Sequence, residues 1–192
     1  MRAIRLVILA TAACLLTLTS LSAQDSNIKH FDKDGLSFDY PAKWQFTDNS
    51  TGQMQYLELA QGDVVIRVRS ERERLKSPEK EAHAKKLFQD DYVNQFTNQL
   101  EQAGMQPKRS AVNTQIGGGD AQGSSVRGTN RGESGGMDSY YRIISDRLVN
   151  LSIIGSDKDI ANSAPVLDLI RNSLKVEPPL QPKASPSPVK KP

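Results

Sequence analysis

Cysteine and histidine are nearly absent from this chain of 192 residues, which contains one of the former and two of the latter. The single cysteine, Cys14, lies in an apolar stretch near the N-terminus. If that stretch is removed on export, no thiol remains for a disulfide, a nucleophile or a metal ligand. The two histidines, His30 and His83, are too few and too far apart to indicate a metal site.

Only the N-terminus has a long apolar run. Arg2 and Arg5 begin the chain, the segment 4–21 is mostly apolar, and small residues surround Ala23. This order is typical of a secretory signal peptide. We therefore expect residues 1–23 to be a cleaved signal peptide and the protein to be periplasmic or extracellular. The alternative is an uncleaved membrane anchor, although threonine and serine dilute the run.

The position of Cys14 within this run bears on anchoring. Thr11-Ala12-Ala13-Cys14 partly matches a bacterial lipoprotein signal, in which the cysteine is lipidated. Such signals usually carry leucine, valine or isoleucine where this chain has Thr11, and here the apolar run continues past the cysteine. We predict that Cys14 carries no lipid anchor.

An excess of positive charge is present only at the two ends. The formal net charge is +3, yet residues 24–174 contain 19 basic and 21 acidic side chains, a net charge of about −2. The sequence therefore predicts no binding of nucleic acid by the domain. Residues 177–192 contain six prolines and three lysines, which predicts a disordered tail. Such a tail would contact an anionic membrane surface only weakly.

The segment 24–176 has the length of a single domain with one core. Its first half shows the alternation of apolar and polar residues that is typical of strands, for example at Leu36, Phe38 and Tyr40. Gly62 lies in the turn of a predicted hairpin. The predicted strands of this half cover residues 36–40, 44–46, 54–59 and 63–69.

A long helix follows these strands. Ser77 is a favourable N-cap before Pro78, and Gly104 is a favourable C-cap. The apolar residues recur every four positions, as expected for a helix packed on a sheet rather than for a cofactor site. They are Phe88, Tyr92, Phe96 and Leu100.

The second half predicts four more strands, at 110–116, 121–128, 137–146 and 148–155, joined by short glycine-rich links. In the last strand Leu151 is predicted to face the core, whereas Asn150 and Ser152 are predicted to face away from it. A final helix begins near the capping pair Ser156 and Asp159 and ends near Leu174, with Pro165 in a first turn or at a kink. The predicted apolar side of this helix comprises Val166, Leu169, Ile170 and Leu174. Because the links between strands are short, we predict an α+β fold in which helices flank an antiparallel sheet.

The segment from Phe31 to Trp44, with its Tyr-Pro-x-x-Trp turn, resembles the opening of the PsbP-like family, named after an extrinsic subunit of photosystem II. The order of the elements and the closing segment 170–176 fit the same family. The resemblance covers most of residues 28–176 and implies an α-β-α sandwich. It also implies action through protein partners, since family members generally bind other proteins and many bacterial members are exported proteins of unknown role.

Two sequence patterns resemble a catalytic site or a metal site. Residues 132–136, Gly-Glu-Ser-Gly-Gly, match the G-x-S-x-G pattern of serine hydrolases. The flanking residues predict a hairpin loop rather than the strand and helix that a nucleophilic serine requires. His30, Asp32 and Asp34 alternate along an extended segment, but a metal site needs such ligands to converge. We predict no catalytic residue, no cofactor and no metal site.

A cluster of charge near residue 70 is the best candidate for binding a partner. Arg67 and Arg69 alternate on one face of a predicted strand, and Tyr140 and Arg142 alternate on a later one. Together these four residues could form a docking surface for an acidic protein. The commoner meaning of such a charge cluster is a sheet edge that is protected against aggregation.

The sequence thus favours an exported, non-enzymatic accessory domain that acts through a protein partner in the cell envelope. A protein that binds a small molecule is the alternative, with a pocket between sheet and helix near Trp44, Phe88 and Tyr92. An enzyme that uses carboxylates is a third interpretation, for which the sequence offers no recognisable pair.

Overall fold

The computed structural model describes residues 27–130 and 132–178. The predicted signal peptide, Cys14 and residues 179–192 of the predicted tail lie outside these ranges. The strands are β1 Ile28–Lys33, β2 Leu36–Pro41, β3 Gln45–Asp48, β4 Met54–Gln61, β5 Val64–Glu71, β6 Lys108–Ile116, β7 Gly119–Asn130, β8 Glu133–Ile144, β9 Arg147–Ser156 and β10 Lys175–Val176. The helices are α1 Pro78–Lys85, α2 Asp91–Gln102, α3 Asp157–Asn162 and α4 Ala164–Ser173, and a π turn at Lys86–Asp90 joins α1 to α2.

Seven strands form one antiparallel sheet in the order β3-β4-β5-β9-β8-β7-β6. It consists of two meanders that join where β5 pairs with β9 and Val68 lies opposite Leu151. The segment α1–α2 carries the chain across one face of this sheet, from β5 to the edge strand β6. Strands β1, β2 and β10 form a second, smaller sheet. The predicted α+β class is confirmed.

The apolar core lies on the face of the large sheet that α4 and β2 cover. Alternate residues of β5 and β9 point into it, because successive side chains of a strand face opposite sides. Leu36 and Phe38 of β2 and Ile170 of α4 complete it, and all three are fully buried. Trp44 also belongs to this core. The alternation read from the sequence therefore identified the core of the domain.

The predicted helix over residues 78–103 is present, but it is not a continuous α-helix. Ser77 caps α1 by accepting a hydrogen bond from the backbone N–H of Lys80, and the chain leaves the helical layer at Gly104. Between the two α-helices, the π turn adds one residue to the helical repeat. As a consequence, the neighbouring residues Phe88 and Gln89 are both buried.

The link between β7 and β8 is shorter than predicted. Strand pairing continues to Asn130 opposite Glu133, and β8 begins there rather than after Gly136. Ser134 therefore lies in β8 and not in a loop. The prediction of a seven-residue loop was wrong, because glycines at 135 and 136 allow close approach of the neighbouring strands and do not end the pairing.

The final helical segment is divided into α3 and α4. Ser156 caps α3 as predicted, and its hydroxyl accepts a hydrogen bond from Asp159 N at 3.1 Å. Pro165 lies in the first turn of α4, where a missing N–H costs nothing. Leu167 and Ile170 are the buried residues of α4, whereas Leu169 is only half-buried. β10 then adds to β2, which the sequence did not predict.

Candidate functional site

The face of the sheet beneath α1, the π turn and α2 has a polar centre. Ser139, Asn150 and Ser152 on β8 and β9 are fully buried there. Asn150 and Ser152 do face away from the apolar core, as predicted, but the helical layer buries them. Two apolar clusters flank this centre. One surrounds Leu148 of β9 beneath α1, and the other lies where Val93 of α2 packs on the sheet.

Gln89 of the π turn reaches into this polar centre. Its Oε1 accepts hydrogen bonds from Ser139 Oγ and from Asn150 Nδ2, both at 2.9 Å. Asn150 Nδ2 also lies 2.9 Å from Ser139 Oγ and 3.1 Å from the carbonyl oxygen of Tyr140. Buried amides need such partners, because an unpaired polar group in the interior is costly. The network therefore holds the π turn on the sheet.

Arg69 of β5 lies at the border of this network. Its Nη2 donates to Asn150 Oδ1 at 2.7 Å and to the carbonyl oxygen of Phe88 at 2.6 Å. Its guanidinium carbon lies 3.5 Å from the centre of the Tyr92 ring. The π turn thus supplies one acceptor and α2 supplies the aromatic ring. The side chain is fixed by three separate elements of the fold.

All of these partners of Arg69 are uncharged. In residues 27–130 and 132–178, no carboxylate forms an ion pair with its guanidinium. Burial lowers the pKa of Arg69 to about 10, since desolvation disfavours the charged form. The group remains protonated at neutral pH and is a positive charge without a counter-ion in the described part of the chain.

Arg67, two residues earlier on the same face, is more open. Its Nε donates to Glu58 Oε2 at 2.9 Å and its Nη1 donates to the hydroxyl of Tyr92 at 3.1 Å. Tyr56 lies beside it, with 6.0 Å between the guanidinium carbon and the ring centre. Burial raises the pKa of Tyr56, which keeps its hydroxyl neutral. Both arginines are thus held in place by tyrosines and face the same side of the sheet.

A cavity of about 290 Å³ opens beside the two arginines, between β4, β5 and α2. Tyr56, Tyr92 and Phe96 contribute to its walls. The cavity exists because the helical layer, formed by α1, the π turn and α2, packs mainly on β7, β8 and β9. The β4–β5 hairpin therefore projects beyond this layer. A pocket between sheet and helix was predicted near Tyr92, and Tyr92 does line one. Trp44 does not, because it is buried in the apolar core on the opposite face.

Two further cavities continue along the same side of β5. One has a volume of about 530 Å³ and is lined by Glu71, Glu73 and Phe88. It shares Met54 with the cavity beside Arg67 and Arg69, which we call the arginine cavity. The next, of about 460 Å³, shares Glu71 and Glu73 and includes His83 and Leu87. Burial raises the pKa of Glu71, because the ionised carboxylate is partly desolvated. The charge along this side changes from positive at Arg67 to negative at Glu73.

The four residues predicted to bind a partner do not form one surface. Arg67 and Arg69 face the helical layer, whereas Tyr140 and Arg142 face the apolar core, because Tyr140 pairs with Leu151 in the register of β8 and β9. Tyr140 packs against that core, and Arg142 donates to the carbonyl oxygen of Gly117 at 3.1 Å. The joint surface of the sequence prediction is therefore wrong.

The alternative interpretation of these arginines as a sheet edge is also wrong. Strand β5 lies between β4 and β9 in the interior of the large sheet. Sequence alternation showed that Arg67 and Arg69 share a face, but it did not show how many strands lie on either side. Gln89 and Asn150 were missed for a similar reason, since the sequence predicted the helix but not which strands it covers.

The other sequence candidates lie apart from this cleft. Ser134 donates to the carboxylate of Asp157, and His30 Nδ1 lies 2.6 Å from Asp39 Oδ1. Asp34 pairs with Arg72 instead of approaching His30. Over the residues described, no group of three or more histidine, cysteine, aspartate or glutamate side chains is placed to hold a metal ion. None of the helices in the described ranges has the length and apolar character needed to cross a membrane.

Comparison with known proteins identifies the architecture. No family model and no curated protein sequence matches the chain. Among solved structures, cyanobacterial PsbP (CyanoP) from Synechocystis sp. PCC 6803 superposes with a TM-score of 0.51, over 83% of this chain and 98% of that one. The chain has a PsbP-like fold. The sequence identity of 12% to that protein means that the PsbP-like resemblance concerns the fold alone.

Two other solved structures align more weakly with this chain. A Bacteroides thetaiotaomicron protein aligns at 11% identity and a TM-score of 0.49, over 81% of this chain and 50% of its own. A Pseudomonas aeruginosa protein of unknown function, described as a putative regulator, aligns at 13% identity and a TM-score of 0.35, over 83% of this chain and 99% of its own.

Proposed function

We propose that this chain is an exported, non-enzymatic accessory domain that binds an acidic segment of a protein partner in the cleft beside β4, β5 and α2. The observation that carries the proposal is the arrangement of Arg67 and Arg69. Both guanidinium groups lie beside an open cavity, and Arg69 has no counter-ion among the residues that the structure describes.

The physical argument concerns the free energy of a buried charge. A desolvated cation is costly unless an anion compensates it. The neutral groups around Arg69 satisfy its hydrogen bonds but leave its charge unbalanced. A carboxylate entering the cavity would approach the guanidinium in a partly dehydrated setting, where a charge-assisted hydrogen bond is strong. Two arginines side by side also favour acidic partners over basic ones.

Capture from the native cell envelope tests this function. The full chain is isolated with and without mild cross-linking, and the co-purifying proteins are identified by mass spectrometry. We expect a stoichiometric partner that is lost on Arg67→Glu and retained on Arg109→Glu, a control arginine outside this cleft that contacts Asn94 and Ser124. Circular dichroism checks that both variants are folded. Equal recovery of the partner by both variants would remove the cleft from the proposal.

A small acidic molecule is the second candidate occupant, favoured by the volume of the cavity and by its aromatic walls. This candidate is tested by measuring the melting temperature of the purified chain in the presence of aromatic and aliphatic carboxylates. A ligand that raises the melting temperature of the wild type but not of Arg67→Glu would favour this function over a protein partner. A chain that captures no envelope protein and responds to no carboxylate would contradict both candidates.

A further inference from the structure

The three cavities described above form one groove along the helix-facing side of β5. The first and second share Met54, and the second and third share Gln53, Glu71 and Glu73. The groove therefore extends from Gln99 of α2 to Glu79 of α1. At about 1.5 Å per helical residue, the twenty steps from Glu79 to Gln99 correspond to roughly 30 Å, which is long enough for a segment of extended chain.

The two ends of this groove carry opposite charges. Arg67 and Arg69 line the end beside α2, and Glu71, Glu73 and Glu79 line the end beside α1. Lys80 neutralises Glu73 in part. Glu71, like Arg69, forms no ion pair with any residue in the described part of the chain. Each end thus has one partly buried charge that forms no ion pair within the described residues.

Apolar side chains also line the groove between Arg67 and Glu79. Met54 and Phe88 line the middle cavity together with Glu71, Arg72 and Glu73, and Leu75 lines the next. Leu87 of the π turn lines the same end and is 45% exposed. An apolar surface between unlike charges fits a chain segment better than it fits a single small anion.

We propose that the groove binds an extended peptide segment that places a carboxylate at the Arg67–Arg69 end, a Lys or Arg side chain at the Glu71–Glu73 end, and apolar side chains between them. The inference rests on the proposed function and deepens it, because it gives the charge pattern of the partner segment. Both unbalanced charges of the groove are then compensated by one ligand, and a uniformly acidic segment is disfavoured by Glu71 and Glu73.

The strand geometry gives the spacing of these charges. On β5, Arg69 and Glu71 are two residues apart, and Arg67 and Glu71 are four apart. An extended ligand that runs along β5 rises by about the same 3.3 Å per residue. The acidic and basic residues of the partner should therefore be separated by roughly two to four positions.

Photo-cross-linking in the native envelope tests the pattern. A benzophenone amino acid is placed at Gln95, which is exposed and lines the arginine cavity, or at Leu87, which lines the acidic one. The same probe at exposed Lys29 of β1 is the control on the other side of the domain. We expect both groove probes to link to one stretch of about ten residues, with Asp or Glu near the Gln95 link and Lys or Arg near the Leu87 link.

The outcomes separate this inference from the proposed function. A partner that links at Gln95 through an acidic stretch, with no Lys or Arg near the Leu87 link, would overturn the inference and leave the proposed function standing. A partner that links only at Lys29, or with the reverse charge order, would overturn both. Failure to recover any partner would overturn the proposed function, and the inference with it.

A charge exchange gives a second, quantitative test with the peptide identified in this way. Glu73→Lys should weaken binding of that peptide at least tenfold, and a peptide in which the basic residue is replaced by Glu should recover most of the loss. Glu101→Lys makes the same charge change at an exposed site outside the groove and should have little effect. Equal affinities of the wild type and Glu73→Lys for both peptides would refute the polarity of the groove.

Discussion

The guanidinium carbon of Arg69 lies 3.5 Å from the centre of the Tyr92 ring, and the hydroxyl of the same tyrosine accepts a hydrogen bond from Arg67. One side chain of α2 thus orients both arginines of β5. The ring also closes the inner side of the cleft. This contact couples the position of the helix to the shape of the proposed binding site.

Two substitutions at Tyr92 should separate the roles of its ring and its hydroxyl. Tyr92→Phe removes the hydrogen bond to Arg67 and should lower the free energy of unfolding by about 1 kcal/mol or less. Tyr92→Leu also removes the cation–π contact with Arg69 and should cost about 2 kcal/mol. Urea denaturation measures both values. Equal losses would show that the ring contact contributes nothing.

The buried arginine should matter more to stability than its neighbour. Arg69→Ala leaves Asn150 Oδ1 and the Phe88 carbonyl oxygen without their donor, and we expect a loss of about 2–3 kcal/mol. Arg67→Ala breaks a more exposed ion pair with Glu58 and should cost about 1 kcal/mol or less. The midpoints of urea denaturation of the two variants test this order, and the reverse order would contradict it.

Gln89 and Asn150 should be energetically coupled. Each loses a buried hydrogen-bond partner when the other is replaced, so the two single changes share the same interaction. In a double-mutant cycle with Gln89→Ala and Asn150→Ala, we expect a coupling free energy of about 1–2 kcal/mol. Gln89→Ala with Asn113→Ala, an exposed site on β6, is the control pair and should be additive. Additivity in both cycles would mean that the network does not hold the π turn.

Gly117 should tolerate alanine less well than its neighbour Gly118. Both have positive φ, of 57° and 77°, which disfavours a Cβ. At Gly117 the added atom would also lie 2.8 Å from the carbonyl oxygen of Leu174, whereas at Gly118 nothing lies within 4 Å. We expect a cost of about 1 kcal/mol for Gly118→Ala and a clearly larger one for Gly117→Ala. Thermal unfolding compares them, and equal melting temperatures would exclude the close approach of Leu174.

Asp48 should stabilise the fold in a pH-dependent manner. Hydrogen bonds from Ser50, followed by the ammonium group of Lys33, lower the pKa of Asp48 from 3.8 to about 2. Because the folded value lies below the unfolded one, the stabilisation is present above pH 3.8 and is lost as the pH falls toward 2. Asp48→Asn should therefore cost about 1 kcal/mol at pH 7, a value discounted for solvent exposure. The difference in unfolding free energy should vanish near pH 2, and a constant difference would contradict this origin.

The apolar periodicity of the sequence was sufficient to predict most of the fold. The alternation of Leu36, Phe38 and Tyr40 with polar residues identified a strand that the structure confirms. The recurrence of apolar residues every four positions from Phe88 identified a helix, which is also confirmed. Short links required antiparallel pairing. The π turn was not predicted. It adds one residue to the helical repeat, and the amino-acid composition of such a turn does not differ recognisably from that of an α-helix.

The candidate site was only half predictable. Arg67 and Arg69 were selected from the sequence, and they do line the cleft. Tyr140 and Arg142 were assigned to the same surface, yet the register of β8 and β9 places them on the opposite face. Partner binding by any of these residues stays a prediction.

The sequence by itself determined which residues share a face of each strand and helix, because that depends only on local backbone geometry. Tertiary structure alone decided what covers each face. The helical layer turned the polar face of β9 into a buried network around Asn150, and it left Arg69 desolvated beside uncharged partners. The groove exists for the same reason, since its walls come from β4, β5 and two helices whose relative placement depends on contacts distant in sequence.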